Sequence, residues 1–359
     1  IYLSEGLSNS YLITTPEGGV VIKTGMGFEA PVHKHNFDAV DPSPVRYILL
    51  TQGHVAPVGG VDLFVEEGTK VVAQQNNQAH QTDDARNAAF RAVRSGIAFA
   101  EAIAKAWQHI QDNIGGAIPA QSRPVPDLTF EDQMALELGG LRMELLWTPG
   151  GETTDSMVVW LPEQRICFTG NLFSALFGHF PNLVTIRGDR YREALTFIES
   201  LERVRALEPE LLLVGHHGPI EGREVIRREL TRLRDAVQFV HDETVKGMNH
   251  GKDVHTLMRE VALPPELAVG EGYGKVSWSV RAIWENYAGW FHHRSTTELY
   301  PVPPNATHGD LVQLAGGAEE LVVRVGQPLT ELDAGHDVAL GAVAEGAGRS
   351  VDAGAGGQD

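Results

Sequence analysis

Apolar residues in the first quarter of the chain fall into short runs separated by turn chemistry. YLIT and VVIKT, at 11–14 and 20–24, flank Pro16-Glu17-Gly18-Gly19 and predict a β-hairpin. VRYILLT at 45–51 is a continuous apolar run of the buried-strand type and opens into the polar loop Gln52-Gly53-His54-Val55-Ala56. Pro57 suits the first turn of a following helix, and KVVAQ at 70–74 predicts another strand. Over 85–114 the apolar spacing switches to three and four, which predicts a helix that Gly115-Gly116 ends. Runs over 128–146 and 157–168 predict a second group of strands around the loop 148–156, Thr-Pro-Gly-Gly-Glu-Thr-Thr-Asp-Ser. An amphipathic helix over 190–207 then leads to the strand LLLVG, which runs into His216-His217-Gly218-Pro219.

Strands thus give way to polar loops at 51–54, 147–152, 168–171 and 214–217, and in α/β folds such strand ends converge where sites are built. Past Gly222 the pattern becomes wholly helical: charged helices over 223–247 and 253–261, then an aromatic one over 275–291. The expected organisation is a mixed α/β domain over 1–222, a helical domain over 223–345, and a Gly/Ala-rich flexible tail over 346–359.

Composition narrows the function classes. A chain of 359 residues with 42% apolar content exceeds a single core of roughly 250–300 residues, which agrees with two domains. The formal charge of −18 argues against nucleic acid or an anionic membrane surface as a partner. Cys167 stands alone, which excludes an intrachain disulfide and a cysteine-based zinc site, so any metal would rest on His, carboxylate or amide groups. No run reaches the ~20 apolar residues of a spanning helix, and Ile1-Tyr2-Leu3-Ser4-Glu5 lacks a signal-peptide pattern. A soluble, cytoplasmic protein is expected; export stays open because residue 1 is not Met.

Gln52, His54, Glu152, Asn171, His216 and His217 are potential ligands or acid/base groups on four strand-end loops. Singly, each is a solvated or capping residue on the simpler reading; their recurrence after successive strands makes them a set. His33, His35, His292 and His293 read as structural or solvated.

The order of these segments resembles the metallo-β-lactamase superfamily, whose fold is an αββα sandwich with a metal site on strand-end loops. The family's hairpin ends V-I-D-T-G where this chain has Val21-Ile22-Lys23-Thr24-Gly25, and its T-H-x-H-x-D-H becomes Thr51-Gln52-Gly53-His54-Val55-Ala56-Pro57. Pro149-Gly150-Gly151-Glu152 and Asn182-Leu183-Val184-Thr185-Ile186-Arg187-Gly188 are similar to the alkylsulfatase branch, which hydrolyses sulfate esters of alkyl alcohols. GYGKVSWSVRAIWENYAGWF, at 272–291, is similar to that branch's helical dimerisation domain.

The resemblance implies a hydrolase of a small anionic organic ester and a homodimer. It also implies two zinc ions, which the substitutions here reduce. The first ligand set becomes Gln52, His54 and Glu152; the second becomes Ala56, Pro57 and His217, with Gly170 at the bridging carboxylate position. The expectation is at most one divalent metal, zinc or another, on His54 and Glu152 with Gln52 or His217, or none. Asn182, Thr185, Arg187 and His179 are the expected anion-binding residues, since a guanidinium fork pairs with two sulfate oxygens; pairing of Arg187 with Asp189 is the plainer alternative. His217 and Lys23 are the expected catalytic groups. A protein that binds without turnover, or an enzyme that works without metal, are the competing expectations.

Overall fold

The computed structural model describes residues 1–113, 115, 119–173, 176–183, 192–293, 296–302, 304–314 and 316–317. The chain divides into two compact units, Ile1–Trp290 and Phe291–Asp359. The expected boundary at 222 falls inside the first.

In the first unit, β1 (Tyr2–Ser4), β2 (Ser10–Thr15), β3 (Gly18–Ile22), β4 (Val45–Leu50), β5 (Lys70–Gln74) and β6 (Leu128–Phe130) form one sheet in sequence order. A second sheet runs β12-β11-β10-β9-β8-β7, from β7 (Gln133–Leu138), β8 (Leu141–Trp147), β9 (Met157–Leu161), β10 (Ile166–Gly170), β11 (Leu211–Val214) and β12 (Ile220–Glu221). Residues 128–130 were expected with the second strand group, but β6 pairs in parallel with β5 at the edge of the first sheet. The reason is local: Asp127 accepts a hydrogen bond from the Val71 amide at 2.8 Å and donates its own N–H to the Val71 carbonyl. That latch draws the segment onto β5.

The helices are α1 (Ala30–Val40), α2 (Val55–Val58), α3 (Val61–Phe64), α4 (Asn77–Arg86), α5 (Ala88–Asn113), α6 (Ala194–Ala206), α7 (Arg223–Asn249), α8 (Val254–Glu260) and α9 (Val276–Ala288), with α10 (His308–Leu314) in the second unit. The helix expected over 85–114 is the pair α4 and α5, broken at Asn87.

Side-chain alternation sorts the strands into three layers of core. Val20, Ile22, Leu49 and Val72 meet Met157, Val159, Leu161 and Phe168 between the sheets. Their neighbours Val21, Ile48, Leu50 and Val71 face α1 and α3 through Ala30, Phe37 and Phe64. On the other side Val158, Trp160 and Cys167 pack against α6, α7 and α9 through Phe197, Leu201, Leu230 and Ile283. Strands apolar on both faces have to be covered twice, and helix–sheet–sheet–helix is the arrangement that does so. The expected metallo-β-lactamase-like αββα sandwich is the observed fold. Within the aromatic helix, Trp284 is core, whereas Tyr287 and Trp290 are exposed. The 346–359 segment lies outside the described residues.

The buried His33 of α1 gives the fold an acid sensitivity. Its Nδ1 lies 2.8 Å from Ser4 Oγ, and burial pushes its pKa down from 6.5 to about 4. Between those values the unfolded chain takes up a proton that the folded chain refuses, so stability is full above pH 6.5 and falls as pH drops to 4. The loss reaches about 3 kcal/mol for such a shift. Glu29, packed beside it against Gly6 and Gly25, is pushed up by burial and acts in the opposite sense, so a difference measurement is needed. Urea unfolding of wild type and His33→Gln at pH 7 and pH 4.5 should show a smaller acid loss in the variant; equal losses would contradict this assignment.

Candidate active site

The carboxyl ends of β3, β4, β8, β10 and β11 deliver Lys23, Gln52, Glu152, Asn171 and Gly215 to one place. Backbone bonds fix that convergence. Lys23 N–H donates to the Leu49 carbonyl at 3.1 Å, Met157 N–H to Thr51 at 2.8 Å, and Gly215 N–H to Gly170 at 2.7 Å. Tyr11 Oη adds a side-chain stitch between the sheets, donating to the Val214 carbonyl at 2.6 Å.

Glu152 is the hub. Its Oε2 accepts from Gln52 Nε2 at 2.6 Å and from Asn171 Nδ2 at 2.7 Å, and its Oε1 lies 3.4 Å from Arg192 Nη2. The Glu152 and Arg192 side chains are 5% and 2% exposed, so this is a buried ion pair. Arg192 is anchored from behind by donating to the Asn182 carbonyl at 3.0 Å. Gln52 turns its amide nitrogen inward because Glu152 Oε2 needs a donor, and its Oε1 accepts from Ser156 Oγ at 3.2 Å.

Lys23 completes the cluster. It has a left-handed backbone, φ 63°, uncommon for a residue with a side chain, and is 1% exposed. Its ammonium donates to Gly215 O at 3.0 Å and to Asn171 Oδ1 at 3.4 Å. Burial pulls its pKa from 10.5 down to about 8, opposed by the charges of Glu152 and Glu29. His216 donates from Nδ1 to the Leu7 carbonyl at 2.6 Å, which leaves Nε2 as the acceptor nitrogen; burial, and secondarily the nearby Lys23 charge, push its pKa down to about 4.

Beside this cluster lies a cleft of about 440 Å³, lined by His54, His80, Asp84 and Arg91 with Glu152 and Arg192. Arg91 of α5 pairs with Asp84 of α4 and reaches His54 Nε2 at 3.5 Å. Two guanidinium groups, each paired with a carboxylate, therefore share one cavity with an imidazole.

Of the residues expected from sequence, Lys23, Gln52 and Glu152 are brought together, and His54 lines the adjoining cleft. His217 sits on an exposed left-handed turn, φ 62°, where its carbonyl accepts from Asn9 Nδ2 at 2.7 Å. His179 is held elsewhere, its Nδ1 accepting from Gly272 N–H at 2.9 Å. Asn182 is buried and contributes its carbonyl to Arg192, while Thr185 and Arg187 lie outside the described residues. Arg192 and Arg91 were missed: one precedes an apolar helix, the other lies within a helical pattern, and no motif marks either.

The fold family implies zinc, and the groups at these strand ends are arranged otherwise. Glu152 already meets three donors, Gln52 presents its N–H₂, and an ammonium and a guanidinium stand within the cluster. Ala56 and Pro57 offer no donor. Gly170 has φ 52°, and a Cβ there would lie 2.7 Å from Thr51 Oγ1, so no bridging carboxylate fits. Among the described residues no group of three or more His, Cys, Asp or Glu could hold a metal ion. These residues do not fit zinc.

Sandwich and strand-end cluster together define a metallo-β-lactamase type of protein. Residues 3–216 match the metallo-beta-lactamase superfamily, to which the chain belongs, and residues 253–340 match the alkyl sulfatase dimerisation family. The chain is 29% identical over 333 residues to a linear primary-alkylsulfatase of Pseudomonas sp., covering 88% of this chain and 62% of that one. It is 26% identical to an alkyl/aryl-sulfatase of Saccharomyces cerevisiae over 78% of this chain and 46% of the other. The structure of the stereoselective inverting sec-alkylsulfatase of Pseudomonas sp. superposes with a TM-score of 0.75 at 22% identity, over 92% of this chain and 55% of that chain. This chain thus spans roughly half to three-fifths of the length of these relatives.

Removing the hub carboxylate breaks the buried ion pair with Arg192, a change that costs about 3–5 kcal/mol. Glu152→Ala should lower the urea midpoint accordingly. A variant as stable as wild type would show that Glu152 does not organise the cluster.

Proposed function

We propose that this chain acts on a small anionic organic ester of the alkyl-sulfate kind, held in the cleft between Arg91 and Arg192, and that its chemistry is hydrolysis of the sulfate ester. The juxtaposition of two guanidinium groups with His54 in one cavity carries this reading. The sulfatase names of the relatives support the substrate class. A guanidinium offers paired donors to sulfate oxygens, and Arg192, fixed from behind by the Asn182 carbonyl, needs little ordering to do so. Arg91 engages Nε2 of His54, the imidazole of the cleft, and a sulfate that takes over the guanidinium would free that nitrogen to accept a proton from water and return it to the leaving alcohol. Residues 223–345 would serve as the dimer contact, in keeping with the dimerisation match over 253–340.

A second reading, binding without turnover, is favoured by one observation: the donors around Glu152 occupy the carboxylate that a hydrolytic site would otherwise use as a base or ligand.

The two readings separate in one experiment. Octyl sulfate is incubated with the protein, inorganic sulfate is followed by ion chromatography, and binding is followed by calorimetry. Hydrolysis in wild type, with KM raised about tenfold or more in Arg91→Met, is the expected result for loss of one charge-assisted contact. Binding without sulfate release would establish the second reading, and neither binding nor release would refute both.

A further inference from the structure

The cluster around Glu152 carries its own positive charge. Lys23 and Arg192 enter from opposite sheets' loops, both nearly fully buried, and both are bound to groups that a metal ion would need. Lys23 occupies Asn171 Oδ1 and the Gly215 carbonyl; Arg192 takes Glu152 Oε1; the two amide nitrogens take Glu152 Oε2. Each amide turns its nitrogen to the Glu152 carboxylate and makes a second bond, Gln52 with the Ser156 hydroxyl and Asn171 with the Lys23 ammonium, which as a pure donor holds Asn171 in one orientation. Both Glu152 oxygens, Asn171 Oδ1 and the Gly215 carbonyl therefore already face N–H groups.

We infer that Lys23 and Arg192 stand where a divalent metal would, so that this site excludes zinc by charge and by donor orientation. This concerns the protein alone and does not rest on the ligand proposed above. Two separate properties exclude the ion. A divalent cation among two fixed positive groups in a low-dielectric site is repelled by both. To bind it, Glu152 would have to give up its hydrogen bonds and His54 its contact with Arg91, and among the described residues no group of three His, Cys, Asp or Glu stands ready to hold it.

Missing ligands and blocking cations make different predictions for Gln52→His, which restores an imidazole and leaves Lys23 and Arg192 in place. The test uses the full chain, freed of metal by chelator, dialysed, incubated with zinc, and passed through gel filtration before elemental analysis. Competition with a chromophoric chelator then gives the affinity. Wild type and Gln52→His should both retain below about 0.1 zinc per chain, since ligation must repay the displaced bonds and charges. The double variant Lys23→Asp with Gln52→His, which removes one cation and adds a carboxylate, should bind zinc about tenfold or more tightly than Gln52→His alone. Circular dichroism and thermal melting report whether it folds, and if it does not, the first two proteins still decide the matter. Close to one zinc per chain in wild type would overturn the inference. So would tight binding by Gln52→His alone, because the cations would then be no barrier.

Discussion

A carboxylate buried where two sheets meet has to be neutralised, and the site is arranged around that requirement. Glu152 lies on the loop after β8 with its side chain only 5% exposed, and an uncompensated charge there would cost several kcal/mol. Its partners come from three other segments: Gln52 after β4, Asn171 after β10, and Arg192 ahead of α6. None is its neighbour in sequence, so the hub's charge can be satisfied only when both sheets are packed and their loops are in register. Long-range polar groups of this kind link local geometry to the whole fold.

The sandwich supplies the rigidity that this demands. Strands such as β9, wholly buried, send alternate side chains into two different cores, so a slip of one residue would exchange both sets at once. Bonds such as Thr51–Met157 and Tyr11–Val214 then tie one sheet to the other at the end where the loops emerge. The scaffold fixes the backbone, and the left-handed turn at Lys23 redirects its side chain from the end of one sheet towards Gly215 at the end of the other. Strained backbone concentrated at such positions is characteristic of functional sites.

Much of this was legible in the residues. Apolar runs and their polar termini predicted the strands and the loops that carry the cluster, because burial on two faces leaves a plain hydrophobic signature. Motif spacing singled out Gln52, His54 and Glu152. Other features were not legible, for physical reasons. The β6 segment reads as a strand of either sheet, and the Asp127–Val71 latch that decides the matter is a contact across 56 residues. Arg192 looks like any charge ahead of a helix, and its role appears only when the fold brings it to Glu152. His217 matched a motif position, yet the backbone turns at that residue and leaves it exposed, with His216 turned inward instead. Position in a motif does not fix where a side chain goes.

The departures from the family's pattern make physical sense only together. An ammonium at position 23 beside a complete set of metal ligands would face bound cations with no solvent to screen it. Loss of those ligands without Lys23 would leave Asn171 Oδ1 without the ammonium that donates to it, and Glu152 with one cation fewer to offset its charge. The same holds for Gln52, whose amide nitrogen is useful because Glu152 needs a donor rather than a competing ligand. Each change alone costs stability, and the combination restores a satisfied network. That balance covers Glu152, Gln52, Asn171 and Lys23, each of which meets a partner of complementary polarity within the cluster.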